Sequence, residues 1–238
     1  MTFRAAPLAL LALLALPAFA GESGKAPNEA PKVGSALNPA SPVQRIAFVA
    51  QLVTWARAEQ SVEGLVTAAQ ILTDIPMSEY QAAKTAKPTE GVTAGRDKDE
   101  AKPLTLDPKA LLKEARWYGS ASPDKKLQAY VEGVAKRGLG EQATTGGPKY
   151  AITKVSAAFT DVYEITFTGG EIAEVAIGGD GGTDLDLYVY DEFNNYVASD
   201  TTSTDNAYVA WTPRWTGKFR VEVRNQGSLH NQYVFVTN

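Results

Sequence analysis

The chain has 238 residues, a formal net charge of -4, one histidine and no cysteine. The lack of cysteine excludes disulfides, thiol nucleophiles and a lipid-modified cysteine. The negative charge argues against a nucleic-acid partner, since phosphate binding needs a concentrated basic surface.

The first twenty residues predict a secretory signal peptide. Arg4 supplies the positive charge, residues 8–16 form an apolar run, and Ala18-Phe19-Ala20 is a small-x-small cleavage site. The run is much shorter than the roughly 20 residues that a membrane span needs. We therefore expect an exported protein, periplasmic or secreted, with no membrane span after signal removal.

Residues 21–42 predict a flexible leader, because prolines and small polar residues leave few large apolar groups to bury. A helical domain is expected over residues 43–140. Apolar residues recur there at three and four positions, and Asp107-Pro108 is typical of a helix start. Its polar part, residues about 76–106, predicts a mobile loop.

The predicted helical domain contains large aromatic residues. At helical spacing such residues are more often core than ligand platforms, so we expect them to be buried. They are Trp55, Trp117, Tyr118 and Tyr130.

Beyond a Gly- and Thr-rich boundary, the pattern of residues 150–238 changes to a period of two. Seven or eight short segments of this kind, separated by turns rich in Gly, Asn or Pro, predict an antiparallel β-sandwich. The expected fold class is therefore multidomain α plus β. A small N-terminal helical bundle would precede a C-terminal antiparallel sandwich.

The segment 181–191 combines a glycine turn, two spaced carboxylates and an alternating strand. Side chains alternate between the faces of a strand, so Asp184 and Asp186 share one face with Tyr188 and Tyr190. Calcium prefers several oxygen ligands, and the spacing favours a calcium site. The candidate metal ligands are Asp180, Asp184, Asp186 and Asp200, with Asp205 as an alternative to Asp200. The alternative is that Asp180 and Asp184 only shape the turn.

Residues about 150–238 resemble the bacterial pre-peptidase C-terminal domain family. The resemblance rests on Gly182-Thr183-Asp184-Leu185-Asp186-Leu187-Tyr188-Val189-Tyr190-Asp191, on residues 194–200, on Ala210-Trp211-Thr212-Pro213, and on residues 215–223. It implies a jelly-roll-like sandwich. Members often accompany a peptidase, sometimes bind calcium, and in collagenases bind collagen through exposed aromatics. This chain departs from that pattern, since no catalytic domain precedes the sandwich.

Aromatic residues are frequent in the predicted sandwich and favour a ligand-binding face, because Tyr and Trp are common at interfaces. The predicted face contains Tyr188, Tyr190, Tyr208 and Trp211. The alternative is that these residues serve as ordinary strand formers.

Catalysis finds little support, since the single His230 has no second histidine or catalytic motif beside it. We predict a non-catalytic binding or adhesion protein whose sandwich binds an extracellular polymer, protein or glycan, or a surface partner. One alternative is an accessory or structural envelope protein that acts through its helical half. Another is a secreted hydrolase.

Overall fold

The computed structural model of the protein describes residues 24–30, 41–81, 83–95, 102–140 and 146–238. The predicted signal peptide lies outside the described residues. The elements are α1 (Pro42–Ala58), α2 (Val62–Thr73), β1 (Ser78–Glu79), β2 (Lys84–Pro88), α3 (Pro108–Ala121), α4 (Lys125–Arg137), β3 (Lys149–Val155), β4 (Phe159–Phe167), β5 (Ala173–Gly179), β6 (Leu185–Asp191), β7 (Tyr196–Asp200), β8 (Asn206–Trp211), β9 (Gly217–Asn225) and β10 (Asn231–Thr237).

Local sequence signals set the helix boundaries. Ser41 and Gln44 form a reciprocal capping box at the start of α1. Asp107 caps α3, which begins at Pro108 as predicted. Gly138 ends α4 with a positive φ of 74°, a conformation that glycine adopts without strain.

The strands form a sandwich of two five-stranded sheets. Sheet A has the order β1-β3-β10-β5-β8, and sheet B has the order β2-β4-β9-β6-β7. All pairs are antiparallel except β1 with β3. Alternate side chains of both sheets meet in one apolar core that includes Tyr163, Leu187 and Phe235. The predicted fold class, helices followed by a sandwich, is confirmed.

The helices pack on the outer face of sheet A and share a second core with it. Ala176, Val234 and Val236 of the sheet belong to the same buried cluster as the helices. The approach is close at Gly178 of β5, where an added Cβ would lie 2.9 Å from the Cβ of Ala50 in α1. The helices and the sandwich are thus joined by apolar packing, whereas the sequence predicted separate domains.

The segment 76–106 differs from the predicted mobile loop, since its described residues follow the edges of the sandwich. β1 pairs with β3 at one edge of sheet A, and β2 pairs with β4 at the edge of sheet B. Leu104 and Leu106 are buried against the helices. The sequence did not predict β2 as a strand, because most of its side chains are exposed and its residues therefore show no apolar alternation.

Part of the predicted flexible leader also differs from expectation. Residues 24–30 lie against the sandwich without helix or strand, and Asn28 among them is fully buried. Within the described ranges, no helix is both long and apolar enough to cross a membrane.

Candidate functional site

The outer face of sheet B carries a row of tyrosines and arginines. In β6, Leu185, Leu187 and Val189 are buried, so Tyr188 and Tyr190 project from the opposite face. In β9, the register places Glu222 opposite Tyr188 and Arg220 opposite Tyr190. The outer side chains of the two central strands therefore lie next to one another.

The rings and guanidinium groups of this face stack. The Tyr188 and Tyr190 rings lie 6.5 Å apart between centroids, and the Tyr196 ring lies 6.4 Å from that of Tyr190. The Arg224 guanidinium carbon lies 3.9 Å from the Tyr188 ring centroid, and that of Arg220 lies 4.4 Å from the Tyr190 centroid. Such contacts are attractive cation–π pairs. We call Tyr188, Tyr190, Tyr196, Arg220 and Arg224 the tyrosine–arginine face.

A buried carboxylate fixes the arginines of this face. The Glu222 side chain is 0% exposed and pairs with Arg224 at 2.7 Å, Arg220 at 3.0 Å and Lys87 of β2 at 2.6 Å. Burial opposes its ionisation, but the hydrogen bonds and positive charges of Lys87 and Arg224 outweigh burial and lower the pKa of Glu222. An ionised Glu222 therefore holds both guanidinium groups against the sheet.

The sequence predicted only part of this face. Tyr188 and Tyr190 are half-buried on it, and Tyr196 is 44% exposed. Arg220 and Arg224 were not singled out, although the alternation of polar and apolar residues in β9 was the available signal. One strand read alone does not show which neighbouring strand it contacts, because that depends on sheet order.

Two predicted members of the binding face lie elsewhere. Trp211 is only 4% exposed and packs against Phe167 and Phe219 inside the sandwich, so its assignment to an exposed face is wrong. Tyr208 lies on the opposite sheet beside the helices, where its hydroxyl donates to Glu174. Trp211 ends β8 on its inward side, and this large ring fills the core.

Two of the four aspartates predicted to bind a metal accept hydrogen bonds from backbone N–H groups through their carboxylates. Asp180 accepts from Gly182 at 3.0 Å and Gln232 at 3.3 Å. Asp200 accepts from the backbone N–H groups of Thr202 and Tyr208. Turn-shaping bonds of this kind fit the alternative given for Asp180, and they place Asp200 in the same role.

The other two aspartates, Asp184 and Asp186, lie near each other, and Asp184 also lies near Asp205. One carboxylate oxygen of Asp184, Oδ1, is buried without a hydrogen-bond partner. Burial, followed by the nearby charges of Asp186 and Asp205, raises the pKa of Asp184. Asp186 accepts a hydrogen bond from Gln226, and Asp205 accepts from the backbone of Gly181. The charges of Asp186 and Asp205 therefore both act on Asp184.

The four predicted ligands do not form one cluster. Among the residues that the structure describes, no three His, Cys, Asp or Glu side chains are arranged to hold a metal ion. Of the predicted set, only Asp184 carries an unpartnered buried oxygen of the kind that a bound cation would contact.

Three of the four helical aromatics predicted to be buried are exposed, whereas Tyr118 is partly buried and packs against the helical core. Trp55 is 53% exposed, Trp117 67% and Tyr130 41%. Phe48, which the sequence analysis did not single out, is 52% exposed and lies one heptad before Trp55 on α1. The helices bury mainly their aliphatic side chains, and the expectation that these three rings lie in the core is wrong.

A groove of about 270 Å³ lies between α3 and the end of α4. It is lined by cations and small apolar groups, namely Lys109, Leu112, Lys113, Arg116, Ala135, Gly138 and Leu139. His230, the single histidine, is buried and lies outside this lining.

No family model matches the chain, and no curated protein matches it. The chain is similar to the crystal structure of the pre-peptidase C-terminal domain of collagenase from Bacillus anthracis, with 18% sequence identity and a TM-score of 0.30. That match covers 36% of this chain and 86% of the other. The family membership inferred for residues 150–238 stays a prediction.

Proposed function

We propose that the protein is an exported, non-catalytic binding or adhesion protein. Its sandwich binds an extracellular polymer, protein or glycan, through the tyrosine–arginine face. The observation that carries this proposal is the continuous row of tyrosine rings and stacked guanidinium groups on the sheet opposite the helices.

The chemistry of the face suits a polymer. Tyrosine offers a large flat contact area at a low cost in side-chain entropy, and arginine adds hydrogen-bond donors. The stacked geometry and the buried Glu222 restrict these side chains before a ligand arrives. Less ordering is then required on binding.

The test is co-sedimentation of the full chain with insoluble peptidoglycan, chitin and collagen. We expect retention on one of these polymers and at least tenfold weaker retention for Tyr188→Ala/Tyr190→Ala, since aromatic anchors dominate such interfaces. Trp117→Ala, an exposed aromatic on α3, is the matched control and retains wild-type binding. Equal retention of wild type and double variant would rule out this face.

The calcium proposal narrows to Asp184, with Asp186 and Asp205 beside it. The unpartnered Oδ1 of Asp184 supports it, and a cation there would offset the negative charges of Asp186 and Asp205 that act on Asp184. Asp180 and Asp200 would keep their turn-shaping roles.

Thermal melts in chelator and in millimolar calcium test this site. A ligand bound only by the folded state raises the melting temperature by mass action. We expect an upward shift for the full chain that Asp184→Asn/Asp186→Asn removes and Asp200→Asn does not. Identical melting temperatures of the wild type with and without calcium would contradict the calcium proposal.

A second candidate function uses the helical half to recruit an envelope protein. The exposure of Phe48, Trp55 and Trp117 favours it, since exposed large aromatics are common at protein interfaces. Under this alternative the sandwich serves as a stable cap.

A further inference from the structure

Residues 24–30 are anchored to one end of the sandwich by a single buried side chain. Asn28 is fully buried, whereas Gly24, Lys25 and Ala26 are exposed. The segment has no helix or strand to satisfy its polar groups. A buried amide in such a segment requires specific partners on the surface that receives it.

The sandwich supplies partners for both ends of the Asn28 amide. The side-chain oxygen accepts from the backbone N–H groups of Arg214 at 2.9 Å and Trp215 at 3.1 Å. The side-chain nitrogen donates to the Trp215 carbonyl at 3.1 Å. The backbone N–H of Asn28 donates to Oδ2 of Asp191 at 2.9 Å. These contacts match the donors and acceptors of asparagine.

The receiving surface is built by the sandwich itself. Asp191 accepts from the backbone N–H groups of Phe193 and Asn195 and from the Asn195 side chain, so the turn between β6 and β7 holds its carboxylate in place. Gly217 leaves space at this point, because an added Cβ would lie 3.1 Å from the Asn28 side-chain nitrogen.

The flanking contacts are made largely to the backbone of the segment. Arg214 Nε donates to the Glu29 carbonyl at 2.6 Å, and the Ala30 N–H donates to the Thr212 carbonyl at 2.7 Å. The Lys25 amine lies 4.1 Å from the Phe193 ring centroid. Backbone contacts of this kind bind an extended peptide and leave sequence selection to the asparagine.

We propose that this surface is a binding site for a linear asparagine-containing peptide, with residues 24–30 as its tethered resident ligand. We call it the asparagine cleft. It consists of Asp191, Phe193, Thr212, Arg214, Trp215 and Gly217. The inference is independent of the polymer-binding face, which uses other residues.

The covalent attachment of residues 24–30 to the sandwich decides whether a second peptide can enter the cleft. Because residues 24–30 belong to the same chain as the cleft, their effective concentration at the cleft exceeds that of a dilute free peptide. A free peptide of the same chemistry therefore competes poorly with residues 24–30. It binds more tightly to Asn28→Ala, because the resident segment then loses its three side-chain contacts and keeps only its backbone contacts.

The chemistry also discriminates against aspartate in the peptide. An aspartate keeps the two acceptor contacts with Arg214 and Trp215 but loses the donor to the Trp215 carbonyl. It also places a carboxylate on the residue whose backbone N–H binds Asp191, and like charges that lie near each other repel.

The experiment is calorimetric titration of the synthetic peptide Gly-Lys-Ala-Pro-Asn-Glu-Ala into the full chain. We expect one-to-one binding to the Asn28→Ala variant and at least tenfold weaker binding to wild type. The same peptide with aspartate in place of asparagine binds at least tenfold more weakly to the variant. Gly217→Leu, added to Asn28→Ala, abolishes binding by filling the cleft.

A melting curve first checks that the Asn28→Ala variant is folded. If that variant is unfolded, the Asn28→Asp variant is used in its place. No binding of the asparagine peptide to the folded variant would overturn the proposal. Equal affinities for the asparagine and aspartate peptides would overturn it as well.

Discussion

Glu222 shows how a single residue links the stability of sheet B to the geometry of its outer face. Its carboxylate is buried, and three cations from β2 and β9 surround it. Removing its charge leaves both arginines without their shared anchor. We therefore expect an effect on stability and on the stacking over Tyr188 and Tyr190.

The first prediction concerns Glu222→Gln. The folded-state pKa of Glu222 is lowered, so its ionisation stabilises the protein above pH about 4.5 and this contribution disappears as pH falls through the lowered pKa. Urea unfolding at pH 7 should show a loss of about 1.5–3 kcal/mol, the range for hydrogen bonds to charged groups. At a pH below the lowered pKa, the two proteins should become nearly equal in stability.

Glu164→Gln is the matched control, because that side chain is 73% exposed on β4. We expect a change within about 0.5 kcal/mol, as is usual for exposed sites. A loss for Glu222→Gln that is the same at both pH values would contradict the ionic account.

For single residues, the sequence predicts which face of a strand a side chain occupies better than it predicts which residues that side chain contacts. Alternation in β6 correctly placed Tyr188 and Tyr190 on the solvent side. It gave no means of detecting that Asp200 accepts from the backbone N–H of Tyr208 in β8, or that Arg224 of β9 stacks on Tyr188. Those relations depend on contacts between strands, which the alternation within one strand does not show.

At the scale of elements, β1 and β2 complete the edges of the two sheets. An uncovered strand edge offers unpaired backbone groups to other chains, and lysine and proline on an edge strand discourage such pairing. β2 has the sequence Lys-Thr-Ala-Lys-Pro and fits this pattern. It is also fixed by charge, since Lys84 donates to the buried Asp161 at 2.5 Å.

The second prediction is that Lys84→Met destabilises the protein by about 2 kcal/mol or more. The Asp161 side chain is 3% exposed and would lose its cationic partner, and an uncompensated buried charge is costly. Urea unfolding measures the loss, and adding Asp161→Asn should recover part of it.

Lys218→Met provides the comparison, since its partner Glu164 lies 3.7 Å away and both side chains are exposed. That substitution should change stability little. Strictly additive losses for Lys84→Met and Asp161→Asn would show that the pair does not couple β2 to the sandwich.

The elements themselves were largely predictable from sequence. Four helices and eight strands follow from periodicity, caps and turns, as α3 after Asp107-Pro108 illustrates. β1, β2 and the docked segment 24–30 were missed, because they are held by backbone hydrogen bonds and by isolated contacts such as those of Asn28. Neither kind of interaction leaves an apolar pattern.

At the scale of the whole molecule, the helices and the sandwich share one buried cluster. β5 and α1 approach closely at Gly178, and the absence of a side chain there allows the contact. Disturbing this contact should affect both parts together.

The third prediction is that Gly178→Leu lowers stability by about 1–3 kcal/mol, the usual cost of overpacking. Helical circular dichroism and near-ultraviolet aromatic signals should then melt in a single shared transition at a lower temperature. Gly133→Ala in α4 is the control, because an added Cβ there meets only Arg137 at 3.8 Å. It should raise stability by about 0.5–1 kcal/mol. Two separate transitions in the wild type would contradict a shared core.

The most direct test of the central claim is hydrogen–deuterium exchange of the full chain with and without the polymer that retains it. We expect slower exchange on polymer addition in the strands that carry the tyrosine–arginine face, β6, β7 and β9. Exchange in α1 and α3 should not change. Protection confined to those helices would contradict the account and assign binding to the helical half.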